Sequence, residues 1–342
     1  MPSAIPQTAP APATPSSTGK PLLEVRDLKV HFPFSRGPLW KREQGAVRAV
    51  DGVSFTVNEG ETLGLVGESG CGKSTTARAV LNLLGSSAVT SGEVYLQGQR
   101  IDRHGDYEMR PFRRDLQMIF QDPFASLNPR MTVGNIIGEP MKIFGLYDRR
   151  TRKLEVMRLM DIVGLNPRYM NRYPHEFSGG QRQRIGVARA LAVQPKIIFC
   201  DEPVSALDVS IQAQVVNLLM DLQQQLNVAY VFISHDLSVV RHISHRVGVM
   251  YLGRIVELAS AADIYSDPKH PYTKALLSAI PIPDPQLEST REHVPLTGEV
   301  PSPEVHYPGC PFADRCPIVE EQCRQLAPAL EGKSHQVACF KA

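Results

Sequence analysis

Residues 67–74, GESGCGKS, match G-x-x-x-x-G-K-[ST], and this octapeptide restricts the fold of the chain more than any other feature. Such a loop works only where a strand delivers it and a helix leaves it. The run Thr62, Leu63, Gly64, Leu65 and Val66 supplies the strand, and a helix-compatible segment starts near Lys73. Gly67, Gly70 and Gly72 let backbone N–H groups of the loop, including those at Ser69, Cys71 and Thr75, turn inward around phosphate oxygens. The helix start adds its positive dipole end. Lys73 is placed to reach the β- and γ-phosphates, and Ser74 to offer a hydroxyl to Mg²⁺. Cys71 reads as an interchangeable small residue whose neighbours carry the binding. The implied ligand is ATP or a similar nucleoside triphosphate, and the implied class is α/β.

The rest of the 342 residues agrees with that class. With 42% hydrophobic residues the chain can fill a core. Its 37 Lys and Arg against 35 Asp and Glu leave a net charge of +2, which gives no support to a nucleic-acid binder. No apolar run approaches the length of a membrane-spanning helix, so a membrane role has to pass through a partner. Residues 1–20 contain 15 Pro, Ala, Ser or Thr and no charged-then-apolar targeting pattern, and are expected to be a disordered leader. Period-two alternation runs through Leu23, Val25, Leu28, Val30 and Phe32, and resumes at Val53, Phe55 and Val57 after a basic loop expected over residues 35–45. Helical spacing recurs at Leu154, Met157 and Met160, and at Ile211, Val215, Leu218, Leu219, Leu222 and Leu226. The phosphate motif occurs once, so there is no internal duplication. After about residue 266 the composition shifts, and eight of the 28 prolines fall within residues 281–311, as in an extended connector.

Two further motifs carry chemistry. KIIFCDEP, residues 196–203, is a short apolar run ending in two acids, the pattern of a buried central strand. Asp201 at its end can hold Mg²⁺, and Glu202 can orient and deprotonate a water for attack on a γ-phosphate. FSGGQRQR, residues 177–184, places Ser178 as N-cap of a helix expected to run to about Ala192, a second anion-binding helix start. Two phosphate cradles with one lysine-bearing loop make sense if each nucleotide lies between two subunits.

Phosphate loop, SGGQ and DEP strand in this order and spacing resemble the ATP-binding cassette subunits of ABC transporters. The resemblance implies a P-loop domain with a RecA-like core, an antiparallel β subdomain and a helical subdomain. It implies that Gln121, in FQDP, contacts Mg²⁺ and the attacking water. His235, in VFISHD, would contact the γ-phosphate, residues 205–208 (SALD) would cross a dimer interface, and Phe32 would stack on adenine. Ser178, Gly179, Gly180 and Gln181 would close in trans over ATP held by the partner's loop, with Lys73, Glu202 and His235 as the catalytic set and Ser74, Gln121 and Asp201 around Mg²⁺. Residues 120–134, FQDPFASLNPRMTVG, and 267–281, DPKHPYTKALLSAIP, narrow the resemblance to oligopeptide and dipeptide importers, to the second, F-type, of their two ATPases. That implies an ATPase powering peptide import from the cytoplasmic face of the inner membrane. The implied partners are a second ABC ATPase in a heterodimer, two transmembrane permease subunits and an extracytoplasmic substrate-binding protein, with no nucleic acid. The boundaries expected are a leader over 1–20, a cassette over 21–265 with a helical subdomain over about 124–176, and a C-terminal extension over 266–342. Nickel chelates, glutathione and peptide antibiotics are alternative cargoes of similar importers. A soluble ATPase acting on nucleic acid or ribosomes is the rival class, to which the basic cluster Arg149, Arg150, Arg152 and Lys153 would speak.

Four of the six cysteines, Cys310, Cys316, Cys323 and Cys339, lie in the last 33 residues at intervals unlike ordinary zinc spacing. Four thiolates suit tetrahedral Zn²⁺, with His306 and His335 as further donors, or an iron–sulfur cluster. The importer extension is similar to segments that bind a [4Fe–4S] cluster. A cluster is therefore the expectation, serving as a staple, with zinc and four free thiols as the alternatives.

Overall fold

The apolar run before Asp201 is buried on both sides. Ile197 and Phe199 enter one core and Ile198 and Cys200 the other, because successive side chains of a strand point to opposite faces. The same split divides Ala229, Val231 and Ile233 from Tyr230 and Phe232. The computed structural model in which these cores are seen describes residues 20–36, 43–280, 298 and 301–342. Nearly all of the expected leader, and the greater part of the proline-rich connector, lie outside the described residues.

The chain forms β1 (Leu23–Arg36), β2 (Glu43–Val57), β3 (Thr62–Val66), β4 (Val89–Leu96), β5 (Gln99–Arg100), β6 (Leu116–Ile119), β7 (Ile197–Asp201), β8 (Ala229–Ile233), β9 (Arg246–Tyr251), β10 (Arg254–Ser260) and β11 (Gln336–Val337). One sheet is antiparallel in the order β2-β1-β4-β5. The other runs β11-β10-β9-β3-β8-β7-β6, parallel from β9 to β6, with β10 and β11 antiparallel at one edge. One core lies between the two sheets and takes in Ala77 and Val80 of the helix Lys73–Val80. The other lies under the helices Gly179–Leu191 and Val209–Leu226. Neighbouring parallel strands end together, so the loops after β3, β6, β7 and β8 gather at one edge, as open α/β sheets gather their ligand sites.

Two local expectations change. The basic loop is shorter than residues 35–45, because β1 and β2 stay paired out to Arg36↔Glu43, so the hairpin arms take in residues 35, 36 and 43–45. In the helix Arg149–Ile162 the buried stripe is Val156, Leu159 and Met160, while Leu154 and Met157 face outward, 59% and 36% exposed. Met160 serves two rows at helical spacing, and the chain buries the one that includes Val156.

The C-terminal segment docks on the main body. Phe312 is buried against the rings of Tyr251, Tyr272 and His270. β11 pairs with β10, and the fully buried Glu257 accepts hydrogen bonds from the Lys269 and His270 amides at 2.7 and 3.0 Å and contacts His335 Nε2 at 2.6 Å. These contacts fix the segment that a [4Fe–4S] cluster was expected to staple, and that expectation is corrected. The four cysteines are free thiols lining one small cleft with Phe312 and Ile318. Among the described residues no three His, Cys, Asp or Glu side chains are grouped so that they could hold a metal ion. Burial pushes the Cys310 thiol up to about 11 and raises Cys316. The zinc alternative finds no such group among the described residues either.

Burial also drives the pKa of His270 down to about 4, against an ordinary 6.5. Its Nδ1 accepts from the Tyr272 amide at 3.1 Å, which requires that nitrogen to be unprotonated. A depressed histidine contributes stability that is complete above pH 6.5 and is lost as pH falls toward 4. The stake is about 3 kcal/mol. His270→Asn should flatten the unfolding free energy, measured by urea titration, across that window. An unchanged slope would remove His270 as the cause.

Candidate functional site

The phosphate loop follows β3, and its shape depends on glycine at a specific point. Gly72 has φ +105°, and a Cβ there would lie 2.2 Å from the Ala49 carbonyl oxygen. Lys73 is 5% exposed and donates to the carbonyls of Gly67 and Glu68 at 2.8 and 3.0 Å, with Cys71 Sγ at 3.7 Å. Cys71 is buried inside the loop, Ser69 and Gly70 are exposed, and Ser74 and Thr75 are half-buried at the helix start.

From the end of β7, Asp201 faces this loop. Ser74 Oγ donates to Asp201 Oδ1 at 2.5 Å. Asp201 Oδ2 is buried without a hydrogen-bond partner, and the Arg78 guanidinium lies 3.7 Å from it. Burial raises the Asp201 pKa, against the Ser74 hydrogen bond. A buried carboxylate with one oxygen unsatisfied, beside a serine hydroxyl at a phosphate loop, is a donor set that fits Mg²⁺.

Glu202 takes a positive φ of 45°, uncommon for a residue with a side chain, and its amide donates to the Ile233 carbonyl at 3.0 Å. Its carboxylate is bracketed: Gln121 Nε2 donates to Oε2 at 2.9 Å, and His235 Nδ1 lies 3.3 Å from Oε1. Three residues from the ends of β6, β7 and β8 thus meet at the edge where the phosphate loop opens.

Ser178 lies in a different surrounding. It caps the helix Gly179–Leu191, the Ser178 amide donating to Gln181 Oε1 at 3.0 Å and the Gln181 amide to Ser178 Oγ at 3.4 Å. Phe177 is buried beneath, while Ser178, Gly179 and Gln181 are exposed and Gly180 is half-buried against Ile211. Residues 205–208 are mostly exposed beside it, followed by Val209 at 81% exposure. Phe32 is half-buried against the core between the sheets, and Phe34, two residues on, lies under the Arg36 guanidinium.

The chain matches a family model for the ABC transporter over residues 50–205, and one for the C-terminal region of oligopeptide/dipeptide transporters over residues 256–323. The chain is 54% identical over 325 residues to the oligopeptide transport ATP-binding protein OppF of Salmonella typhimurium, covering 94% of this chain and 96% of that protein. It belongs to the ATP-binding proteins of the oligopeptide/dipeptide ABC transporter family. A second member of this family, AppF of Bacillus subtilis, is 52% identical over 93% of the cassette chain and 96% of its own. Among solved structures, the dimeric ATP-binding cassette MJ0796 bound to ADP and Pi superposes with a TM-score of 0.60 at 28% identity, covering 70% of this cassette and 98% of that chain. CbiO1 of Clostridium perfringens, at 22% identity and a TM-score of 0.61 over 73% and 92%, shows the same fold.

Some of the site was not read from the sequence. Arg315 and Tyr272 both reach the phosphate-loop residue Glu68, at separations of 247 and 204 residues, and no local pattern links them. The positive φ of Glu202 likewise has no signal in DEP beyond the acid pair itself.

Proposed function

We propose that this cassette hydrolyses ATP to drive import of di- and oligopeptides, working as one of two ATPase subunits beneath membrane permeases. The observation that carries the hydrolysis is the bracketed Glu202 beside the Ser74–Asp201 contact, at the mouth of the phosphate loop, and the peptide cargo rests on the likeness to oligopeptide transport ATP-binding proteins. In the proposed mechanism, Lys73 and the loop amides hold the triphosphate, and Glu202 takes a proton from the water that attacks in line. Gln121 and His235 fix the carboxylate that accepts it. Ser74, Asp201 and Gln121 would hold Mg²⁺, which supplies charge neutralisation on the phosphates when bound. The exposed, self-capped Ser178–Gln181 turn is a donor set for a nucleotide held by another subunit, which supports closure in trans. Phe32 is proposed to stack on the adenine.

No helix among the described residues is long and apolar enough to cross a membrane, so coupling passes through partners. We assign those partners as a second, different ABC ATPase, two permease subunits and a substrate-binding protein outside the cell. The site of action would be the cytoplasmic face of the membrane, with residues 124–176 as the helical subdomain that meets a permease. Reconstitution with these partners in proteoliposomes tests the reading. ATP on the cassette side should drive accumulation of a labelled oligopeptide, and peptide-loaded binding protein should stimulate hydrolysis. Hydrolysis indifferent to both permease and peptide would overturn it.

A further inference from the structure

Glu68, the second residue of the phosphate loop, is held from the C-terminal extension. The Arg315 guanidinium clamps its carboxylate with Nη1 to Oε2 at 2.8 Å and Nη2 to Oε1 at 3.1 Å. This bidentate pair is largely dry, with the Arg315 side chain 4% exposed and that of Glu68 25%. Arg315 Nη1 also lies 3.4 Å from the Tyr251 hydroxyl, and the helical turn Ala313–Arg315 is anchored by Phe312 among the three rings. The Glu68 amide donates to the Tyr272 hydroxyl at 2.9 Å, and the Glu68 carbonyl accepts from Lys73 Nζ. Carboxylate, amide and carbonyl of one residue are thus fixed from three directions.

The extension also grips the β1–β2 ribbon. Arg36 makes two bonds to Glu304, at 2.9 and 2.7 Å, and the Arg48 amide donates to the Pro303 carbonyl. The extension therefore spans from the ribbon that carries Phe32 to the loop that carries Lys73.

We propose that Arg315 is a positioning residue for ATP binding, acting through Glu68 to set the phosphate loop and to cancel a negative charge beside the triphosphate. This rests on the reading that residues 67–74 bind ATP. A loop that gathers phosphates gains nothing from an uncompensated carboxylate, and charges in a poorly hydrated site are weakly screened. With Arg315 in place, Glu68 becomes a tether; without it, Glu68 repels the ligand and frees the carbonyl that orients Lys73. The extension then controls nucleotide affinity without touching the nucleotide.

A double-mutant cycle tests this on the full chain, by equilibrium titration with a fluorescent ATP analogue and by KM and kcat for ATP in the assembled transporter. Arg315→Met should weaken ATP binding and raise KM about tenfold, with kcat changing far less. Arg315→Lys, keeping the charge, should restore most of the affinity. In a Glu68→Gln background, Arg315→Met should cost less than about twofold, since the charge to be cancelled is gone. An equal loss in both backgrounds, or unchanged affinity in Arg315→Met, would overturn the proposal. Should Arg315→Met fail to fold, failure of Arg315→Lys to bind ATP with near-native affinity would overturn it as well. Lys73→Met separates the two levels: retained ATP binding there would sink the site itself, whereas loss there with no Arg315 effect sinks only this inference.

Discussion

Glu202→Gln lowers steady-state ATP turnover in the assembled transporter by about 10²- to 10⁴-fold while ATP affinity stays within a small factor of the parent. The split follows from what the residue touches. Glu202 bonds Gln121 and lies beside His235, and its backbone is fixed by the Ile233 carbonyl, so the isosteric amide keeps shape and loses basicity. The phosphate loop, which holds the ligand, is built from β3 and the helix Lys73–Val80 and does not depend on that carboxylate. Measuring kcat beside a binding isotherm decides it. Unchanged turnover would mean that the base lies elsewhere, and a collapse in affinity would mean that Glu202 serves the ground state.

Lys73→Met is expected to remove both binding and turnover. The ammonium is nearly buried, and its bonds to the Gly67 and Glu68 carbonyls hold it inside the loop, where it meets phosphate oxygens with little competition from water. Loss of a preorganised charged donor of this kind costs at least about 10²- to 10³-fold in rate. The methionine stem keeps the packing, so the melting temperature of the nucleotide-free protein should change little, while the upward shift produced by Mg-ATP should vanish. A preserved shift would show that the triphosphate is held without this lysine.

What the sequence made legible was local. The phosphate loop needs a strand before it and a helix after it, and both stand in the neighbouring residues; the β7 run has no polar residue before Asp201 because both of its faces are covered. The cap at Ser178 is equally local, a serine with glutamine three residues on. Sequence spacing failed where tertiary packing chose between equal patterns. Leu154 and Met157 share helical spacing with Met160, yet the core took Val156 and Leu159. The C-terminal cysteines failed as a metal site for a related reason: counting thiols says nothing about their mutual placement. The Glu68 clamp and the Glu257 anchor join residues far apart in the chain, where no motif can announce them.

The two-residue pairing of β11 with β10, Glu257↔Val337 and Leu258↔Gln336, has a consequence for solubility. β10 is a largely buried strand, and β11 occupies part of the row of amides and carbonyls it would otherwise offer to any passing chain. The final stretch of the polypeptide thus acts as a guard against intermolecular strand exchange, and a product shortened ahead of residue 336 would present a sticky border to its neighbours during synthesis and storage.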